Sequence, residues 1–283
     1  YNEERRGIMR KFIPVLLIFV LTGCFRIAQA VPAGPDTAAM LEKLFSRLAS
    51  ARQDADRIRI NDSIVSIIDS YARSDSAFTH KFAGLRNLGQ ITSKNSQLKI
   101  ITWNALFGES GGKYYCYFIH NTGKQNRVYR LESVYDNEPP LGNKQYTEND
   151  WYGALYYDLR QFGKGANQYW VLLGLDLGNP DITRKMIEVL TLTPEGDIIF
   201  GKNIFTKGKS TLNRVLLEYS SSAVVSLRFL TDKFIVFDHL VPVSASLTGR
   251  RETYGPDFSF DAYILQKGSW KFTENVDVRN PEK

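Results

Sequence analysis

The sequence predicts a mainly β protein, in which two N-terminal α-helices precede an antiparallel meander that forms a curled sheet, a barrel or a sandwich. Two observations lead to this prediction. Apolar residues recur every three to four positions between residues 41 and 71, and every second position from residue 98 onward. Short polar turns join several predicted strands, which requires antiparallel neighbours, and crossover helices are missing from the pattern, which excludes a parallel α/β fold.

The helical part follows a stretch that contains Pro and Gly, and Asp36 is its expected N-cap. The first helix is predicted over Thr37–Ala51 and the second over Asp54–Ala72. The joint Arg52-Gln53-Asp54 fits a turn or a continuous helix, and we favour two helices. Each helix has an apolar stripe on one face: Leu41, Leu44, Phe45 and Leu48 in the first, and Ile64, Ile67, Ile68 and Tyr71 in the second.

Strands are predicted where apolar residues alternate between turn residues. They are Leu98–Trp103, Tyr114–His120, Arg127–Leu131, Gly153–Tyr157, Tyr169–Gly174, Met186–Leu192, Asp197–Phe200, Arg214–Tyr219, Ala223–Phe229, Phe234–Phe237, Phe258–Leu265 and Trp270–Glu274. Residues 31–95 are therefore expected to form a helical segment that packs on the sheet, and residues 96–283 an antiparallel β domain. A propeller would need a visible repeat about every 40 to 50 residues, and the sequence shows none.

Residues 1–30 have the pattern of a signal peptide with an upstream extension. Met9 is the expected start, because Arg10 and Lys11 follow it and precede the apolar run Phe12–Leu21. About ten apolar residues are typical of an export signal, whereas a transmembrane helix needs about 20. The sequence therefore predicts export to the periplasm, the outer membrane or the cell surface, without a transmembrane span.

Two exits from this leader compete. Ala28-Gln29-Ala30 is a small-x-small cleavage site, whereas Leu21-Thr22-Gly23-Cys24 has the form of a lipobox, in which Cys24 would be lipidated and become the first residue. The first exit gives a free soluble form, and the second gives a lipid anchor. In both cases Cys116 is the cysteine left for the folded part, so an intramolecular disulfide is not expected. Cys116 lies in an apolar run that predicts a buried strand, so we expect its side chain to lie in the core.

Composition excludes several protein classes. Hydrophobic residues make up 43% and charged residues 23% of the chain, a balance typical of globular proteins rather than disordered ones. The net charge is +6, but residues 1–30 hold five of the 36 basic and two of the 30 acidic residues, which leaves +3 for the remainder. This small excess forms no basic stripe, so nucleic acid is not an expected partner.

Two motifs that suggest chemistry have simpler explanations. Gly108–Gly112 matches G-x-S-x-G around Ser110, but a nucleophile elbow needs a helix after it, and a strand is predicted there. The three histidines lie far apart in the sequence, and Asp176–Asp181 lacks the length and the closing Glu of a calcium loop. Neither a metal site nor a cofactor is therefore predicted.

Aromatic residues provide the first candidate ligand site. Trp151, Tyr152 and Trp170 lie at or near neighbouring predicted strands, and exposed rings beside carboxylates and amides stack sugars or peptides in β proteins. The turn Tyr254–Asp257 is the second candidate, with Asp257 at its rim. We expect these groups to converge on one concave surface. Core packing is the alternative, and full burial of the two Trp rings would remove the support for ligand contact.

His239 and the nearby acids suggest a second class of function. Adjacent Asp238 and His239 would point to opposite faces of a strand, so they can pair only if the strand ends or bulges there. A carboxylate-dependent hydrolase acting on glycans or esters would use Asp257 or Asp261 with His239. It requires two of these groups within hydrogen-bond reach of one another or of a common water.

Several stretches carry a family resemblance: Ile101-Thr102-Trp103-Asn104, Trp151–Tyr157, Ile187–Leu190, Ile235–Leu240, Tyr254–Asp261 and Glu274–Asp277. Through them, most of the chain after the leader resembles an uncharacterised family of exported proteins from Bacteroidetes-type bacteria. The resemblance implies export and a shared architecture. It implies no activity, cofactor or catalytic residue, and the lipobox is not one of its features.

These observations favour an exported, envelope-associated protein that acts as a non-catalytic binding or structural module. The expected partners are a lipid anchor or another envelope component, and a glycan or peptide ligand. The alternative is the hydrolase that uses His239 with a carboxylate.

Overall fold

A computed structural model describes residues 34–108 and 111–278 of the chain. The predicted leader, with Cys24 and both exits, lies outside these residues, and so do Glu109 and Ser110 of the G-x-S-x-G match. Within the described part, none of the helices combines the length and the hydropathy that crossing a membrane requires.

The helical layer consists of α1 (Pro35–Ser50) and α2 (Asp54–Arg73), which confirms the prediction of two helices. The N-cap of α1 is Gly34 rather than the predicted Asp36. Pro35 fits the first turn of a helix, because the backbone N–H that it lacks would have no partner within the helix there. The two predicted apolar stripes pack in one core together with the first sheet.

The described residues form sixteen strands, and all of the predicted strands overlap one of them. In chain order the strands are β1 (Gly89–Thr92), β2 (Leu98–Phe107), β3 (Gly111–Asn121), β4 (Asn126–Val134), β5 (Tyr146–Thr147), β6 (Leu155–Phe162), β7 (Tyr169–Asp176), β8 (Ile182–Leu192), β9 (Ile198–Phe200), β10 (Phe205–Lys207), β11 (Ser210–Leu212), β12 (Val215–Ser220), β13 (Leu227–Thr231), β14 (Phe234–Pro242), β15 (Tyr254–Gln266) and β16 (Ser269–Thr273).

The first sheet has the antiparallel order β1-β2-β3-β4, and one of its faces packs on the helices. On that face the ring of Trp103 stacks on Tyr115, with 5.1 Å between the ring centroids. The indole N–H of Trp103 donates a 2.9 Å hydrogen bond to Asn61 of α2. The opposite face, which includes Cys116 and Phe118, packs on the second sheet.

The second sheet has the order β5-β9-β8-β7-β6, and β12 pairs with the part of β8 that β9 leaves open. The third sheet has the order β11-β10-β16-β15-β14-β13. Its pair of β10 with β16 is parallel, whereas the other strand pairs are antiparallel. Tight turns fix only the direction of strands that follow one another, so the sequence did not predict this pairing. Across the described residues the sheets stay open and no barrel closes, which leaves the curled-sheet and sandwich alternatives.

The described residues therefore form four layers: the helices and three stacked sheets. The second sheet is buried on both faces, as β7 illustrates. Trp170 and Leu172 lie in the core shared with the first sheet, whereas Val171 and Leu173 lie in the core shared with the third. A strand buried on both faces has a continuous apolar sequence, and β7 has one.

The sequence prediction missed four short strands, β1, β5, β10 and β11, which have two to four residues each. Alternation needs about four to eight residues to be visible, so these strands gave no signal. Because β1 lies before residue 96, the segment 31–95 also contributes the edge strand of the first sheet and is not wholly helical.

A buried arginine of β8 anchors the connection between the first and second sheets. The Arg184 side chain is 1% exposed and donates to the backbone oxygens of Asp136, at 3.3 Å, and of Asn137. It also pairs with Asp176 at 3.0 Å. A guanidinium has five N–H donors in one plane, so it can satisfy these acceptors together.

A second buried arginine holds the same connection farther along. Arg214 precedes β12, and its guanidinium donates to the backbone oxygens of Leu141 and Lys144, the latter at 2.7 Å. It forms a 2.6 Å ion pair with Glu188, and both side chains are 0% exposed. The phenol of Tyr152 donates to the same carboxylate. The connection is therefore tied to the second sheet at both of its ends.

The buried Lys99 is expected to make the free energy of unfolding depend on pH. The Lys99 ammonium donates to the backbone oxygens of Ala77 (2.7 Å) and His80 (2.9 Å), and burial lowers its pKa from 10.5 to about 8. Above pH 8 the folded state binds fewer protons than the unfolded state, so stability rises with pH up to about 10.5. We expect the free energy of unfolding to increase by about 2 kcal/mol between about pH 7.5 and 9.5 in urea titrations. Lys99→Met should lose this increase. An equal increase in that variant would contradict the assignment.

Candidate functional site

A cleft of about 290 Å³ lies between β12 of the second sheet and β14 and β15 of the third. Leu217, Phe237 and Tyr263 belong to the core between these sheets and form an apolar floor. Six side chains that carry charge or can acquire it line the cleft: Lys207, Glu218, Asp238, His239, Arg251 and Asp261. An apolar floor with a few convergent polar groups is the usual form of a small-ligand pocket.

A β-bulge positions His239 in this cleft. The strands β14 and β15 pair with Asp238 opposite Phe260, and pairing resumes with Leu240 opposite Pro256, so three residues of β15 oppose His239 alone. The middle one of these three, Phe258, has a φ of 71° and is 94% exposed. Bulges redirect side chains and are frequent next to functional sites.

The imidazole of His239 is held by a buried carboxylate. Its Nδ1 lies 2.8 Å from Oδ2 of Asp261, which is 5% exposed. The other oxygen of Asp261 accepts a 3.2 Å hydrogen bond from the backbone N–H of Asn275. With Nδ1 donating to Asp261, Nε2 is the nitrogen that can meet a molecule in the cleft. The His239 side chain is 35% exposed, so this edge is accessible.

The hydrolase hypothesis required two of its three candidate groups within hydrogen-bond reach, and His239 with Asp261 meets that geometric requirement. Asp238 does not pair with His239 in spite of the bulge, because its carboxylate accepts from the backbone N–H of Ser226 at 2.7 Å. The pairing thus joins residues 22 positions apart rather than neighbours in sequence.

The turn that the sequence singled out lies beside the cleft. Tyr254 lines the cleft, and the guanidinium of Arg251 lies over its ring at 4.8 Å. Asp257 is exposed, and its carboxylate accepts from the hydroxyl (2.7 Å) and the backbone N–H (3.0 Å) of Ser259. These hydrogen bonds lower the pKa of Asp257. Of the predicted residues, the structure therefore brings Tyr254, His239 and Asp261 into one cleft, with Asp257 in the adjacent bulge.

The aromatic candidates lie elsewhere, in the core between the first and second sheets. Trp151 is 4% exposed and Trp170 1% exposed, and neither lines the cleft. The indole N–H of Trp151 donates to Tyr156 at 3.2 Å, while the phenol of Tyr152 is bound to Glu188. The expectation that these rings face a ligand is therefore corrected: their apolar area is used in packing two sheets that are both covered.

Other motifs are accounted for by structural contacts. Cys116 is fully buried, and burial raises the pKa of its thiol well above the ordinary value. In the turn Asp176–Asp181, the first carboxylate accepts hydrogen bonds from Tyr114 at 2.8 Å and Arg184 at 3.0 Å. Gly111 begins a strand rather than the helix that a nucleophile elbow needs.

Sequence reasoning missed the basic side chains of the cleft, Lys207 and Arg251, together with Glu218. Each lies in or next to a strand that is six residues or shorter or in a connection, where the sequence has only ordinary surface charges. Comparison of the chain with protein families, with curated proteins and with solved structures finds no match.

Proposed function

We propose that this protein is an exported binding module of the cell envelope that holds a ligand in the cleft between β12 and β14–β15. One observation carries the proposal: His239, Asp261 and Tyr254, all candidates from the sequence, line one concave surface with an apolar floor. The two buried Trp rings no longer contribute to the proposal, so the cleft replaces them as the ligand surface.

The contacts around His239 support a binding role. A histidine whose Nδ1 donates to a buried carboxylate has a fixed ring orientation and a defined tautomer. A fixed ring loses little conformational entropy when it binds a ligand, so a hydrogen bond that Nε2 accepts contributes more to affinity. Tyr254 also lines the cleft, but it is 8% exposed and packs with Tyr219 and Val225, so it contributes little free ring surface.

Export is part of the proposal and rests on the leader sequence. Mass spectrometry of the protein recovered from cells tests it. A mature chain that begins at Val31 would support the free soluble form, and an acylated chain that begins at Cys24 would support the lipid anchor. An uncleaved chain in the cytoplasmic fraction would contradict export.

The binding proposal is tested by titrating oligosaccharides and short peptides into the protein in a calorimeter. We expect at least one of them to bind, and His239→Ala to weaken that binding by about tenfold or more, as expected for loss of a hydrogen bond inside a site. His80→Ala is the matched control, because His80 is exposed and lies in the connection after α2. Binding that survives His239→Ala unchanged would contradict the proposed site.

Hydrolysis of a glycan or an ester is the second candidate function, and the 2.8 Å contact between His239 and Asp261 favours it. An imidazole oriented by a carboxylate can accept a proton from a water molecule at Nε2, with Asp261 as the positioning residue. Nitrophenyl esters and glycosides distinguish the two functions. Product formation that is lost in His239→Ala would establish the hydrolase, whereas ligand binding without any product would support the binding module.

A further inference from the structure

Three acidic side chains line the cleft, and each already accepts a hydrogen bond from the protein. Glu218 accepts from the buried Arg184 at 3.1 Å, and Asp238 accepts from a backbone N–H at 2.7 Å. Asp261 accepts from both His239 and Asn275. These donors occupy acceptor positions on the carboxylates, so fewer acceptor positions remain for a cationic ligand or a ligand with many donors.

Two basic side chains also line the cleft, and fewer of their N–H donors are used in contacts within the protein. The Lys207 ammonium lies over the Phe272 ring, 3.8 Å from its centroid. The guanidinium of Arg251 lies over Tyr254, and its Nε is 4.0 Å from a carboxylate oxygen of Glu218, which is beyond hydrogen-bond distance. Both cations therefore retain N–H donors for an acceptor in the cleft.

The floor of the cleft is apolar and aromatic. The rings of Phe237 and Tyr263 are stacked with 6.1 Å between their centroids, and Phe272 lies 5.5 Å from Tyr263. Leu217 closes the floor on the side of the second sheet. Water on such a surface is displaced favourably by an apolar group.

From this combination we infer that the ligand is an amphipathic carboxylate: an apolar chain lies on the aromatic floor and its carboxylate binds Lys207 and Arg251. The inference rests on the proposed function and names the chemical class of its ligand. Charge-assisted hydrogen bonds to a carboxylate are stronger than neutral ones, so they fix which end of the chain lies at the cations.

Octanoate is the probe, and octanol and octylamine are its neutral and cationic counterparts with the same chain. We expect calorimetry to show that octanoate binds about tenfold or more tightly than octanol, and that octylamine does not bind. The double variant Lys207→Met/Arg251→Met should weaken octanoate binding by at least about tenfold. Arg250→Met is the matched control, because Arg250 is exposed, pairs with Glu252 and does not line the cleft.

The outcomes separate this inference from the proposed function. Octanoate binding that is equal to octanol binding, or unchanged in the double variant, would overturn the ligand class. If the three probes fail while a glycan or peptide binds and depends on His239, the ligand class is wrong and the binding site stands. If the probes and the glycan and peptide panel all fail to bind, both are wrong.

Discussion

Replacing Arg214 with Met is expected to lower the free energy of unfolding by about 3–5 kcal/mol. The substitution leaves the Glu188 carboxylate in the second sheet without its counterion, where its side chain is 0% exposed. It also removes the donor to the backbone oxygens of Leu141 and Lys144 in the connection between the first two sheets. Urea denaturation followed by circular dichroism measures the loss.

The control variant for this prediction removes the charge of the unpaired Glu188. Adding Glu188→Gln to Arg214→Met removes the unpaired charge and keeps an acceptor for the Tyr152 hydroxyl, so we expect it to restore part of the lost stability. Arg228→Met, at an exposed position of β13, should change the free energy of unfolding by less than about 0.5 kcal/mol. A loss below about 1 kcal/mol in Arg214→Met would show that the pair does not hold the connection.

Trp170→Ala is the second change with a large expected effect, a loss of about 3–5 kcal/mol in the free energy of unfolding. The ring lies at the centre of the core between the first and second sheets and is 1% exposed, so its removal leaves a cavity that the flanking sheets cannot fill. Thermal and urea unfolding measure the loss, and Trp170→Phe should lose clearly less because most of the apolar volume remains.

Ligand binding distinguishes a core role of Trp170 from a role in the ligand site. If the ring belongs only to the core, Trp170→Phe at a temperature where it is folded binds the ligand with wild-type affinity. A variant that stays as stable as the wild type but binds at least about tenfold more weakly would instead return Trp170 to the ligand site that the sequence suggested.

Periodicity was enough to predict the fold class, because most helices and strands are longer than the period of the pattern that identifies them. The stripes of α1 and α2 predicted two helices, and those stripes pack on the first sheet, whereas the place of β7 between two sheets was not predicted. The pattern could not show that a third sheet covers the second. For that reason Trp170, on a strand with two covered faces, and Trp151, in the connection before β6, were assigned to an open surface.

The candidate site was predictable only in parts. His239, Tyr254, Asp257 and Asp261 have chemistry that attracts attention in sequence, but their meeting depends on a bulge that has no composition signal. Alternation limited a pair of Asp238 with His239 to a bulged strand; the strand does bulge and the two still do not pair, and alternation could not identify Asp261 on the neighbouring strand as the partner. Lys207 and Arg251 enter the site through tertiary packing alone.

The most direct test of the account follows the histidine rings by nuclear magnetic resonance. The chain has three histidines, so protein labelled with ¹⁵N in its histidine rings gives a spectrum that can be assigned by single substitutions. On addition of a ligand that binds in calorimetry, the account predicts that the His239 ring signals shift while those of His80 and His120 stay in place. The ring of His120 lies 6.4 Å from Trp170, so a shift of His120 without a shift of His239 would place the ligand at the aromatic core and contradict the assignment of the cleft.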